Sequence, residues 1–239
     1  MQTSQSTFEC DICQDTEIVY YNDTDGAAPC KCVEAKRYKR IMESSGISDS
    51  DKAKTVNAYE PKNGNEKQKQ AKAIAVEYIN NFQTIRAERN NSIAFLGQPG
   101  SGKTHLTIAI ANELLRRGTG VLYMAYREVV TQLKQVINDD EEYQMRMNKY
   151  KTAPVLLVDD LFKGATKDGR VNESEMRIMF ELINHRYLKQ LPMLVSSEYP
   201  ILKMIDYDDA TGSRIAEMCK GRIVELKGKE LNHRMEGLI

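Results

Sequence analysis

No apolar run in this sequence approaches the roughly 20 residues of a membrane-crossing helix, so no membrane role is expected. The opening MQTSQSTFEC lacks the basic and apolar regions of a secretory leader. Net charge is missing too: 34 Lys and Arg balance 34 Asp and Glu. No global field therefore recommends nucleic acid or membrane as a partner, although a local basic face is not excluded. No internal repeat is found. Cysteine is sparse, five in 239 residues, and four of the five lie near the N-terminus. With no leader, that distribution argues against a disulfide scaffold and for a cytoplasmic protein.

What is present suffices for a globular core: 41% of residues are apolar and 28% charged. The length suits one medium domain with a small appendage, or two small domains. The first thirty residues contain no Lys or Arg, and the next ten, KCVEAKRYKR, are strongly basic and lead into a short helix ending near Gly46. Polar residues then dominate, with Pro61 and Gly64 as breakers, so 48–65 reads as a linker between a module at 1–47 and a domain at 66–239.

Helical spacing of Ala71, Ile74, Ala75, Tyr78 and Ile79 predicts a helix over 66–82. Short apolar strands follow at Ile93–Leu96, Val121–Ala125, Val155–Val158, Met193–Ser197 and Arg222–Leu226, separated by helical stretches. Strands alternating with helices of this length predict right-handed crossovers, hence an α/β domain with a five-stranded parallel sheet and helices on both faces.

Gly97-Gln98-Pro99-Gly100-Ser101-Gly102-Lys103-Thr104 fits GxxxxGK[ST] in full, between a strand and a helix. The glycines let successive amides face one anion, and the helix N-terminus, at Lys103 and His105, adds its partial charge. Lys103 is suited to the β and γ phosphates and Thr104 to Mg²⁺. The third strand ends in Asp159-Asp160, a Walker B arrangement: Asp159 for the Mg²⁺ shell and Asp160 for the attacking water. Glu is frequent at the second place, and Asp is one methylene shorter. Together these residues form an expected ATP and Mg²⁺ site on a P-loop NTPase.

Cys10-x2-Cys13 and Cys30-x-Cys32, 16 residues apart, supply four thiolates for a tetrahedral Zn²⁺ that would staple a segment without a core. The single residue between Cys30 and Cys32 is tighter than the usual spacing. Cys219 lies apart and reads as a buried apolar residue.

The order of parts resembles AAA+ ATPases of the DnaC/DnaI helicase-loader type, notably replication proteins of phages of Gram-positive bacteria. The resemblance spans roughly 55–239. It rests on the two nucleotide motifs, the strand between them, the polar strand end Ser196-Ser197-Glu198, and Gly212-Ser213-Arg214-Ile215 before a closing strand. It implies an ATPase that places the hexameric replicative helicase on single-stranded DNA in the bacterial cytoplasm, self-associating through its ATP sites. It also implies an N-terminal zinc module that docks on the helicase, and a chain without the helical lid that follows most AAA+ cores. Arg214 becomes the arginine-finger candidate, acting on a neighbour's γ-phosphate. The nucleotide-sensing position at the fourth strand end falls on Glu198 or a neighbouring serine, and Arg234 in LNHRM is a second nucleotide-sensing candidate.

The basic run Lys31–Arg40 reads either as a contact for DNA phosphates or an acidic helicase surface, or as a solvated helix face. Lys163, Lys167 and Arg170 form another candidate DNA contact. Three alternatives accompany the loader: a transposition helper of the IstB kind, an ATP-binding adaptor with little turnover, and a P-loop small-molecule phosphotransferase.

Overall fold

The computed structural model describes residues 8, 10–21, 26–164, 166–167 and 170–233. At the N-terminus, β1 (Ile18–Tyr21) and β2 (Gly26–Pro29) form an antiparallel hairpin with Ile18 opposite Pro29. Cys10 and Cys13 precede the hairpin; Cys30 follows it and Cys32 opens α1 (Cys32–Ser44). Part of the basic run is engaged locally. Lys36 pairs with Asp15 at 2.7 Å and Arg40 with Glu17 at 3.3 Å, tying α1 to the turns before the hairpin.

Residues 48–65, polar in composition, hold α2 (Asp49–Lys52) and a 3₁₀ turn at Lys62–Gly64. They also bury Val56 and Tyr59 in the same apolar cluster as Met42 and Ile47. A segment expected to link two regions is thus packed with residues of both, Met42 and Ile47 of the first and Ala71 and Leu106 of the second.

The central sheet contains β3 (Ile93–Gly97), β4 (Val121–Ala125), β5 (Val155–Asp159), β8 (Met193–Ser197) and β9 (Ile223–Leu226). Its order is β4-β5-β8-β3-β9, and every pairing is parallel. The expected α/β architecture is the one observed. Successive strand residues face opposite ways, so Ile93 and Phe95 join one core while Ala94 and Leu96 join the other. On the first face lie α3 (Glu66–Ile85) and α4 (Lys103–Arg116), which bury Ala71, Ala75, Tyr78, Phe82 and Leu106, Ile110, Leu114 at helical spacing. On the second lie α5 (Tyr126–Gln135), α6 (Asp140–Thr152), α7 (Glu173–Leu188), α8 (Ile201–Tyr207) and α9 (Asp209–Met218). Each large apolar side chain shielded this way contributes about 1.5–3 kcal/mol.

Helix starts are set by side-chain caps. Asn65 accepts from the Gln68 amide, Asp139 from Glu142 and Asp208 from Thr211. Helix α6 was not foreseen: its buried residues, Tyr143, Met147 and Tyr150, form a narrow stripe in a charged sequence. Its C-terminal end rests on Arg186, which is fully buried and donates to the carbonyls of Tyr150, Ala153 and Pro192. A short hairpin, β6 (Thr166–Lys167) with β7 (Arg170–Val171), follows β5. Among the described residues no helix is long and apolar enough to cross a membrane.

The edge strand β4 receives α1: the Tyr123 amide donates to Ser45 O at 2.7 Å. This satisfies an edge donor and brings the end of the cysteine-bearing helix to the sheet.

Candidate functional site

The phosphate loop leaves β3 at Gly97 and enters α4 at Lys103. Gly97, Gly100 and Gly102 have φ of +118°, +76° and +89°, backbone that side chains rarely adopt. A Cβ at these positions would strike, respectively, the Leu226 backbone, the Asn232 side chain and the Tyr59 ring. The loop's shape is enforced from distant parts of the chain. Gln98 exchanges two hydrogen bonds with the Gly228 backbone, and the His233 amide donates to Gly100 O at 2.9 Å. The Tyr59 hydroxyl and the Gln68 amide donate to Ser101 O at 3.1 and 3.3 Å.

Lys103 is buried, and its ammonium donates to Gln98 O at 2.7 Å, on the loop's own backbone. Burial holds its pKa below the ordinary lysine value, against the pull of Asp160 and Glu198. One cavity of about 540 Å³ is lined by Lys103, Thr104, Asp159, Asp160, Lys163 and Glu198. That size is within the roughly 300–1,000 Å³ of small-molecule sites. Pro99, His105 and Tyr59 border the cavity as well. His105 Nε2 contacts Thr55 O at 2.9 Å, and burial lowers its pKa.

The two residues expected to hold Mg²⁺ meet. Thr104 Oγ1 donates to Asp159 Oδ1 at 2.8 Å. Asp159 also accepts from the hydroxyls of Ser196 and of Tyr123, the latter at 3.1 Å on Oδ2. Burial, then the adjacent Asp159, raises the Tyr123 pKa, keeping the phenol a donor. Ser196 in turn accepts from the Asp160 amide at 2.9 Å, locking the ends of β5 and β8 together. A hydroxyl beside a carboxylate at the phosphate-loop helix suits a hard, oxygen-seeking divalent cation.

Asp160 takes φ +55° and binds Lys163 Nζ through Oδ2 at 2.8 Å. Lys163 also reaches Glu198 Oε1 at 3.0 Å. Of the polar residues ending β8, Ser196 serves Asp159, Ser197 donates to Leu161 O at 2.7 Å, and Glu198 lines the cavity. Lys163, grouped by sequence with outward DNA contacts, turns inward.

Arg214 sits on α9, outside the cavity of its own chain. Its guanidinium donates to Asn184 Oδ1 at 3.0 Å and Ala210 O at 2.6 Å, and lies 5.3 Å from the ring centroids of Phe180 and Tyr187. Neighbouring Gly212 lets α9 approach the α8 backbone at Ile205. Arg234 lies outside the described residues.

The four N-terminal sulfurs converge, all within 4.8 Å of one another. Cys10 and Cys30 sulfurs are 3.8 Å apart, Cys13 and Cys32 3.4 Å, and all four are free thiols. Tetrahedral zinc with bonds of about 2.3 Å needs sulfurs about 3.8 Å apart, so the cluster fits that ion. Hydrogen bonds from the backbone at Cys13 and Ile12 lower the Cys10 thiol to about 7, whereas burial first and its neighbouring cysteines next push the Cys32 thiol up. Cys219 is fully buried, as expected of an apolar packing residue.

The family of IstB-like ATP binding proteins matches residues 33–211, three quarters of the chain. The chain belongs to that family. It is a P-loop ATPase of the IstB/DnaC type, binding and hydrolysing ATP. It is similar to the phage-like element PBSX protein XkdC of Bacillus subtilis (strain 168), 36% identical over 242 residues, covering 99% of this chain and 90% of that protein. The replicative helicase loader DnaI of the same organism is 30% identical over 111 residues, 46% of this chain and 34% of DnaI. Among solved structures, the DnaC helicase loader matches with a TM-score of 0.62 at 21% identity, over 75% of this chain and all of that one. At that identity the likeness is one of fold.

Sequence reasoning did not find Tyr59, Tyr123 or His233 as parts of the site. Tyr59 lay in a polar stretch and Tyr123 on a strand read for packing. Their roles depend on approaches that no local motif encodes.

Proposed function

We propose that this ATPase loads the replicative DNA helicase onto single-stranded DNA during replication initiation. The observation that carries the reading is the four-cysteine cluster joined, through α1 and Ser45, to the sheet edge where Tyr123 reaches Asp159. A relative named as a replicative helicase loader supports it. In this reading residues 1–47 hold Zn²⁺ on Cys10, Cys13, Cys30 and Cys32 and dock on the helicase. Residues 48–65 connect, and 66–239 form the ATPase.

Within the ATPase, the amides of Gln98–Thr104 cradle the phosphates and Lys103 leaves Gln98 O for the β and γ oxygens. Thr104 and Asp159 hold Mg²⁺, which neutralises phosphate charge. Asp160 orients the attacking water. Arg214, which lies outside its own chain's cavity, acts in trans, supplying charge to a neighbour's site when chains assemble. The part of the basic run 31–40 that is not paired with Asp15 and Glu17 is the candidate contact for DNA phosphates.

A second reading, a helper for transposition, is favoured by the description of the matching family as IstB-like. The two part on the partner. A tagged chain should capture the host's replicative helicase from purified components, more strongly with ATP than without. Failure to bind helicase in either state, with binding to a transposase instead, would replace the loader reading with the helper.

A further inference from the structure

The cavity holds a cation that neither nucleotide motif accounts for. Lys163 lies in the tight turn after β5, and that turn is rigidly seated. Asp160 and Phe162 have φ of +55° and +65°, and the Lys163 amide donates to Asp160 O at 2.9 Å. The Leu161 amide donates to Ser196 O at 2.8 Å, and the side chains of Leu161 and Phe162 are fully buried. The lysine is therefore delivered to the cavity by a fixed backbone.

Its ammonium lies between two carboxylates, Asp160 Oδ2 at 2.8 Å and Glu198 Oε1 at 3.0 Å. An ammonium has three N–H donors, so two are used there and one remains, on a side chain that lines the same cavity as Lys103 and Thr104. Charge points the same way. Asp160 and Glu198 alone would repel a terminal phosphate, and at the end of β8 the residue facing the cavity is Glu198, an acceptor that cannot donate to it.

We propose that Lys163 is the residue that recognises the γ-phosphate, aimed by Asp160 and Glu198, and that it selects ATP over ADP. Glu198 is then a positioning residue, and the donor that the end of β8 lacks is supplied by the turn after β5. This inference rests on the cavity being the ATP site.

The test is equilibrium titration of ADP and of a non-hydrolysable ATP analogue, both with Mg²⁺. The proteins are the parent, Lys163→Met, Lys163→Arg, the double variant Lys163→Met/Glu198→Gln, and Lys103→Ala, each checked for folding by circular dichroism. Lys163→Met should weaken the triphosphate analogue by ~10-fold or more, the value of a charged hydrogen bond, and leave ADP within about 2-fold. Lys163→Arg should keep most of the preference. The double variant should stay as unselective as Lys163→Met if the lysine contacts phosphate. Return of parental selectivity in the double variant would overturn the contact and make Lys163 a mere neutraliser of Glu198. A parental triphosphate-to-diphosphate ratio in Lys163→Met would also overturn it, provided Lys103→Ala loses binding of both nucleotides. Unchanged binding of both by Lys103→Ala would instead remove the ATP site from this cavity, and the proposal with it.

Discussion

Between Cys10 and Cys32 the buried side chains, among the described residues, are two cysteines, Cys13 and Cys30, whereas Ile12, Ile18 and Tyr20 are exposed. In β3, by contrast, Ile93, Ala94, Phe95 and Leu96 are all fully shielded, with a separate apolar cluster on each face of the sheet. The hairpin region buries little apolar surface to offset the entropy of ordering it, so under the proposed function its shape would come from Zn²⁺ on the four cysteines. The sheet domain needs no such staple. One chain therefore joins a region whose buried side chains are cysteines to a region held by apolar packing. At the junction Met42 and Ile47 enter the sheet domain's apolar cluster, and the Tyr123 amide donates to Ser45 O.

The largest expected effect separates the two regions. Purified without chelator, the protein should carry about one Zn²⁺ per chain, and Cys13→Ser should lose it. Structural zinc is worth roughly 10–16 kcal/mol in small modules, so the hairpin should unfold while the sheet domain's melting transition stays in place. Elemental analysis alongside hydrogen exchange reads both. An absence of zinc in the parent would remove the contrast altogether.

Next comes Arg214→Ala, which should bind ATP normally as an isolated chain yet lose about 10³-fold in hydrolysis within an assembly on helicase or single-stranded DNA. Mixed with Lys103→Ala it should recover activity at junctions that pair an intact Lys103 site with an intact Arg214. A parental rate for Arg214→Ala alone would reduce this residue to its stacking on Phe180 and Tyr187.

Smaller effects test the packing side. Phe95→Ala should cost about 3–5 kcal/mol in denaturant unfolding of the sheet domain. Ile12→Ala, in the exposed surface of the hairpin region, should stay within about 0.5 kcal/mol. Equal losses from the two would mean that the regions share one core.

Residues whose chemistry depends on neighbours in sequence were legible from the sequence. The loop Gly97–Thr104 was legible as a strand-to-helix turn whose glycines take positive φ, and Asp159 as the polar end of a buried strand. Strand positions were readable for a similar reason: central strands buried on both faces, such as Ile93–Leu96 and Val155–Val158, are continuous apolar runs. Helix α6 was missed because Tyr143, Met147 and Tyr150 are diluted by charge, although Asp139 capping Glu142 marked its start. The stretch 48–65 looked like a connector because Val56 and Tyr59 are two apolar residues in a polar setting. The pairing of Lys163 with Glu198 joins positions 35 apart and follows from the β5–β8 pairing, which no local pattern states.

The most direct measurement takes Cys13→Ser and Lys103→Ala side by side, reading nucleotide affinity and capture of the host's replicative helicase on each. Separate regions with separate tasks predict opposite profiles. Cys13→Ser should bind ATP like the parent and capture little helicase, while Lys103→Ala should lose ATP and retain the capture seen without nucleotide. Equal loss of both functions in Cys13→Ser would contradict the account, because the cysteine cluster would then be a support of the ATPase fold and not a docking module.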